Sequence, residues 1–351
     1  MIKVLIVDDS KVVQEFMNHI LSSDNNIQIV GIASSGREAI ELVKLKKPDV
    51  ITMDFHMPDM NGSEATRAIM ENNPTPIVIV SGSLSTTDIK KSFSLIEDGA
   101  LAVMMRPPGM EHPDFVNSRK ELIMTVKLMS EVKVVRKFPG HYKVNTKAPA
   151  NLMLGAVTNK DIKLIAIGAS TGGPMALQKI LSRLPKDLPV PVVIVQHISA
   201  GFVKGFVEWL SISSSIPLKL ASDREPLKAG IGYVAPDGFH MGIGQGPVIH
   251  LSSLPPENGL RPAVDHLFRS VAHIMRRNAI GVLLTGMGKD GAIELKTMRD
   301  NGAITIVQDE ESSIIFGMPG EAIKIGAADH ILPLEKIADF LSDLLVKKNV
   351  S

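Results

Sequence analysis

The chain has 351 residues, 44% of them hydrophobic and 21% charged, which excludes wholesale disorder and predicts two domains. Its 38 Lys and Arg balance 37 Asp and Glu for a net charge of +1, without the basic excess of a nucleic-acid binder. It has no cysteine, so disulfides, thiolate metal sites and a cysteine nucleophile are excluded.

From Met1 the sequence passes through a short apolar stretch, Val4–Val7, straight into Asp8 and Asp9, which is not a signal-peptide pattern. No apolar run nears the roughly 18 residues that span a bilayer, so a soluble, cytoplasmic protein is expected. Ile2–Val7, Ile27–Ala33, Val50–Met53, Ile77–Val80 and Ala100–Met104 are short apolar runs bounded by Asp, Gly, Ser or Pro, the pattern of buried strands. Between the first two, Val13, Phe16, Met17 and Ile20 recur at helical spacing. Five such β–α repeats predict a five-stranded, doubly wound parallel sheet of flavodoxin-like type. With a helix over Phe115–Glu131, this first domain is expected over residues 1–131.

Lys133, Arg136, Lys137, Lys143 and Lys147 follow with no acid among them, mixed with Pro139, Gly140 and Pro149. Residues 132–161 therefore read as a basic linker. Residues 1–108 carry 10 basic and 14 acidic groups, and residues 109–161 carry 9 and 5. The linker is either a solvated tether or a segment that docks on an acidic partner or on the acidic first domain.

From Lys163 the alternation returns. Leu164–Gly168, Val192–Gln196, Ile231–Ala235, Ile280–Thr285 and Ala303–Val307 read as strands. Leu177, Ile180, Leu181 and Leu184 form a helix face opened by Pro174, and Leu334, Ile337, Ala338, Leu341 and Leu345 mark a closing helix. Between Pro226 and Pro262 the elements shorten among Gly and Pro, as inserted hairpins do. Residues 162–348 thus predict a second doubly wound α/β domain with an inserted β-hairpin region.

In a parallel sheet the carboxyl ends of the strands share one edge, where ligands bind. In the first domain that edge gathers Asp8, Asp9, Asp54, Ser81 and Arg106. Three carboxylates repel one another unless a cation is present, and hard oxygen ligands suit magnesium. One carboxylate could then accept a phosphoryl group, with a hydroxyl and a cation holding its oxygens. Taken singly, the aspartates also read as strand-end caps.

The second domain offers Gly168-Ala-Ser-Thr-Gly-Gly173 directly after a strand and before a helix. A sharp turn there exposes Ser170, and the helix start supplies free N–H groups. A phosphate-cradling loop is the competing reading. It lacks the Gly-x-Gly-x-x-Gly spacing, and the next strand ends in Gln196-His197, not in an acid. His197 at that strand end suits a general base for a hydroxyl. Asp290, in the glycine-rich loop 285–291 after another strand, could fix the imidazole tautomer, although taken alone it reads more readily as a helix N-cap. The order Ser, His, Asp differs from the Ser, Asp, His order of α/β-hydrolases. Backbone N–H groups of Thr171 and Met287 are expected as oxyanion donors, since both lie in glycine-rich turns. His240 and Arg261 are candidates to line a substrate groove and read equally as structural residues.

Residues 54–62, with Asp8–Asp9, Ser81 and Arg106–Pro107, resemble a response-regulator receiver domain. That resemblance implies phosphorylation at Asp54 and Mg2+ held by Asp8, Asp9, Asp54 and the His56 carbonyl. Arg106 stands where the family has Lys, which keeps the charge but changes the geometry of the switch. Residues 162–348 resemble the chemotaxis protein-glutamate methylesterases through Ile167–Pro174, Gln196-His197, Tyr233–Pro236, His240-Met241, Arg261-Pro262, Val264-Asp265, Leu284–Ala292 and Phe316–Pro319. The turn Asp223-Arg224-Glu225 departs from the expected Asp-Gly-Glu.

The resemblance implies Ser170, His197 and Asp290 as a triad that hydrolyses glutamate methyl esters and deamidates glutamines on chemoreceptors, without a cofactor. It also implies a chemotaxis histidine kinase as phosphodonor, no nucleic-acid partner, and membrane contact only through receptors. The unphosphorylated first domain is expected to cover the Ser170 cleft. The alternatives are the same esterase in a non-flagellar array, or a receiver-gated binding module without catalysis.

Overall fold

The computed structural model describes residues 1–82, 85–132, 134 and 161–345. The basic run predicted as a linker lies almost wholly outside the described residues.

The first domain alternates strand and helix without interruption: β1 (Ile2–Val7), α1 (Lys11–Leu21), β2 (Ile27–Ala33), α2 (Gly36–Lys46), β3 (Val50–Met53), α3 (Gly62–Asn72), β4 (Ile77–Ser81), α4 (Thr86–Asp98), β5 (Ala102–Met105) and α5 (Phe115–Glu131). The strands pair in parallel in the order β2-β1-β3-β4-β5. Val50–Met53 is fully buried, as a strand covered on both faces must be. Strand β5 starts two residues later than its apolar pattern predicts. Gly99, at φ 120°, and Ala100 both bond back to Leu95 and so finish α4 first.

The second domain comprises β6 (Leu164–Ala169), α6 (Gly173–Leu181), β7 (Val192–Gln196), α7 (Val203–Ser213), β8 (Leu218–Leu220), β9 (Gly232–Val234), β10 (His240–Gly244), β11 (Val248–Ser252), α8 (Val264–Ile274), β12 (Ala279–Leu283), α9 (Ala292–Asp300), β13 (Ile304–Gln308), α10 (Met318–Lys324), β14 (His330–Leu332) and α11 (Leu334–Leu345). Seven strands form one sheet in the order β14-β13-β12-β6-β7-β9-β8, with parallel pairings throughout. The chain enters at β6, moves outward one way, then returns to β12 on the other side. The strand order therefore reverses between β6 and β12, the place where α/β sheets form ligand crevices. Within residues 226–262 there is a single hairpin, β10–β11, where the sequence suggested several. The edge strands β8 and β14 are three residues each and carry too little alternation to be predicted.

The two domains share an apolar seam. Helix α4 of the first domain buries Ile89, Phe93 and Ile96 in the core cluster of the second. The Phe93 ring lies 5.4 Å from Phe206, 5.6 Å from Trp209 and 6.2 Å from Phe202. Glu97 accepts from Gln178 Nε2 at 2.8 Å and from Trp209 Nε1 at 3.2 Å. Such burial is more apolar than most contacts between independent domains.

Candidate active site and phosphoacceptor pocket

Ser170 is the first residue after β6. Its N–H bonds Thr285 O at 3.1 Å, and its carbonyl accepts from Gly173 N at 2.8 Å, closing the turn into α6. Gly172 adopts φ 80° and caps the helix with no side chain, so the turn is tight and its amides stay near the serine. Gly286 stands on the other side. A Cβ there would sit 2.6 Å from Ser170 Cβ and would overlap Met318 Sδ, so only glycine lets this loop approach.

His197 follows β7, and its N–H bonds Ala169 O at 2.9 Å, which sets it beside the end of β6. Gln196 does the stapling. Its Nε2 donates to Ser170 O at 2.8 Å and to His197 O at 2.7 Å. Gln196 is 3% exposed, and the sequence hints at its role only by placing an amide at the end of an otherwise apolar strand.

His197 Nε2 lies 2.8 Å from Asp290 Oδ2, with the two side chains only 10% and 3% exposed. The contact has hydrogen-bond length but is not collinear with the ring N–H, and Nε2 has no well-directed partner. Asp290 accepts from Val264 N at 2.6 Å and Asp265 N at 3.0 Å. Burial pushes the Asp290 carboxyl up, but His197 and these amides outweigh it and hold the group below its ordinary value. Asp290 is therefore a carboxylate, not the cap of its own helix.

Ser170, Thr171, His197, Met287 and Arg261 line one cavity of about 650 Å3. Among the described residues, neither the Thr171 nor the Met287 N–H has a protein acceptor. The first domain supplies the facing wall with Met104, Lys120, Glu121, Met124 and Thr125. Glu121 Oε1 lies 3.4 Å from Ser199 Oγ, and burial raises its carboxyl above the ordinary range.

His240 is not in this cavity. It is fully buried, with Nε2 against Pro255 O at 3.1 Å and Nδ1 accepting from Ala263 N at 3.2 Å. It fixes the ends of the 255–263 segment that carries Arg261. His240, Glu257 and His266 bring ligand atoms within 4.8 Å of one another. The two rings stack at 4.6 Å and 19°, and both ring nitrogens of His240 are already engaged by Pro255 O and Ala263 N, which leaves no free lone pair on it for an ion. Glu257 is moreover already held by the Arg269 fork at 2.9 and 3.1 Å and by His266 at 2.8 Å.

In the first domain, Asp8, Asp54, Ser81 and Arg106 stand at the carboxyl edge of β1, β3, β4 and β5. Burial, then the neighbouring Asp8 charge, pushes Asp54 up to about 6, and burial raises Asp8 as well. Arg106 Nη1 is 4.0 Å from Asp8 Oδ2, and its guanidinium lies over Gly82. Asp9 is exposed, and the three carboxylates do not converge within 4.8 Å. A single guanidinium does not offset three like charges, so the convergence expected from sequence is incomplete. The donors are all hard oxygens with excess negative charge, which fits a divalent cation.

Residues 165–341 match the family described as CheB methylesterase, and residues 4–109 match the response regulator receiver domain. The protein-glutamate methylesterase/protein-glutamine glutaminase 4 of Geobacter metallireducens is 50% identical over 99% of this chain and 100% of its own. A protein of the same description from Syntrophus aciditrophicus is 50% identical over 98% of each chain. The crystal structure of the Thermotoga maritima CheB methylesterase catalytic domain superposes with a TM-score of 0.51 at 40% identity, covering 52% of this chain and 98% of that one. With an N-terminal receiver domain joined to this catalytic fold, the chain belongs to the CheB methylesterase family.

Proposed function

We propose that this protein hydrolyses glutamate methyl esters on chemoreceptors and deamidates receptor glutamines, under control of phosphorylation at Asp54. The observation that carries the reading is that Ser170 and His197 line one cavity at the strand-order reversal, with the buried carboxylate of Asp290 behind His197 at 2.8 Å. With Nε2 turned to Asp290, Nδ1 of His197 is the nitrogen left for Ser170. It takes the Oγ proton as Ser170 Oγ bonds to the ester carbonyl carbon. The Thr171 and Met287 N–H groups hold the oxyanion. The carbon–methoxy bond breaks, and the methoxide leaves as methanol with the proton from His197. Water, deprotonated by His197, then cleaves the acyl-serine, leaving a glutamate carboxylate and free Ser170. Deamidation follows the same steps with ammonia leaving. Asp290 keeps its charge throughout and stabilises the imidazolium. No step needs a cofactor.

The phosphoacceptor is Asp54, with Ser81 and Arg106 binding the phosphoryl oxygens. Asp8, Asp9, Asp54 and the His56 carbonyl would hold Mg2+, which supplies charge neutralisation for the incoming phosphoryl group. The donor is a chemotaxis histidine kinase, in the cytoplasm. No helix among the described residues is long and apolar enough to cross a membrane, so receptors provide the link to it. The wall that the first domain sets against the cavity supports an account in which the unphosphorylated receiver restricts receptor access.

The test is covalent labelling of the full chain by an organophosphonate probe, beside methanol release from methylated receptor membranes. Labelling confined to Ser170, with release lost in Ser170→Ala, is expected. Release that persists in Ser170→Ala overturns the assignment.

A further inference from the structure

Helices α8 and α9 begin side by side, and each N-terminus leaves backbone N–H groups without helical partners. Neither is capped by its own N-cap side chain, because the N-cap residues are Ala263 and Gly291. They exchange carboxylates instead. Asp290, ahead of α9, accepts from Val264 N and Asp265 N at the head of α8. Asp265 returns the contact and accepts from Gly291 N at 2.9 Å, at the head of α9. Gly291, at φ 84°, allows the approach, since a Cβ there would lie 2.6 Å from Val264 Cγ1. Asp265 is 7% exposed, so this contact is internal and shielded.

We infer that Asp265 is a positioning residue for the serine chemistry: it ties loop 285–291 to α8, aims Asp290 at His197, and sets its own charge beside the carboxylate that faces the imidazole. This rests on the proposed triad. A carboxylate that only capped a helix would stabilise the fold without reaching His197. Here the capped amide is next to the residue that touches the imidazole, and the charge lies beside the Asp290 charge.

The groups facing Asp265 are few. Asp290 and, from α9, Glu294 act on it electrostatically. Strand β10 contributes His240, stacked on His266 of α8 itself, and α8 also carries Arg269, which donates to Glu294. Strands β6, β7 and β12, which also pack on α8, contain no titratable side chain. Burial, then Asp290, pushes Asp265 up to about 6, so its charge is present at neutral pH and lost on acidification.

Two measurements on the full chain test this. First, the His197 imidazole is titrated by NMR in a Ser170→Ala background, with and without Asp265→Asn. The expected result is a lower His197 pKa in Asp265→Asn, because the amide keeps an acceptor for Gly291 N and removes the charge. An unchanged titration overturns the inference, whatever any esterase assay gives. Second, methanol release is followed against pH. Asp265→Ala is expected to lower kcat by about ten- to a hundred-fold with KM unchanged, as a displaced catalytic group does. Asp265→Asn is expected to move the acid limb of kcat to lower pH. A folded Asp265→Ala with wild-type kcat, or a change confined to KM, overturns the inference. Failure of the wild-type chain to release methanol would strike the esterase reading alone and leave the His197 titration to decide.

Discussion

Phe93 is the most informative side chain outside the site. It belongs to α4 of the receiver, but its ring packs among Phe202, Phe206 and Trp209 of the catalytic domain at 5.4–6.2 Å. In an undocked state that ring faces water, so Phe93→Ala removes burial only from the docked state. Truncating a buried Phe typically costs about 3–5 kcal/mol. At about 1.4 kcal/mol per factor of ten, the docked-to-undocked ratio falls by roughly two to three and a half powers of ten. The assay is methanol release from methylated receptor membranes without phosphodonor, beside a thermal melt. Phe93→Ala is expected to raise basal release toward the phosphodonor-stimulated wild-type level and to lose most of the further response. If basal release stays at the wild-type level while the phosphodonor response is intact, docking through α4 does not restrain the enzyme.

Gly286→Ala is expected to abolish most activity, because its Cβ would lie 2.6 Å from Ser170 Cβ. A shift of about 1 Å in the nucleophile costs on the order of a hundred-fold in rate, read as kcat of the folded variant, whose melt is itself lowered by the overlap with Met318. Glu257 is held below its ordinary value of 4.5 chiefly by Arg269. It therefore contributes stability above pH 4.5 that is lost as pH falls through its lower folded value. Melts of Glu257→Gln should lie below wild type at pH 7 and converge with it under strong acid. A gap that stays constant with pH would refute the assignment.

The sequence carries the two sheets and the strand-end residues because parallel strands converge by rule. Asp8, Asp54, Ser170 and His197 each follow a short apolar run, so a two-residue error in a boundary leaves them at the same edge. The missing parts are relations across the chain. Asp265 and Asp290 lie 25 positions apart and meet only because α8 and α9 start together. Gln196 looks like the polar end of a strand until its amide is seen bridging two carbonyls. The apolar stripe of α4 shows that a face must be covered but not by which domain, and here α7 covers part of it. For His240 the sequence leaves groove and structural roles equally open, and only its contacts decide: its two ring nitrogens are taken by Pro255 O and Ala263 N.

Whether the receiver gates a serine esterase is decided by methanol release from methylated receptor membranes, with and without a small phosphodonor and Mg2+, for wild type, Ser170→Ala and Asp54→Asn. Release is expected to rise with phosphodonor in wild type, stay basal in Asp54→Asn, and vanish in Ser170→Ala. Equal release from Ser170→Ala, or an undiminished phosphodonor response in Asp54→Asn, would contradict a gated serine esterase.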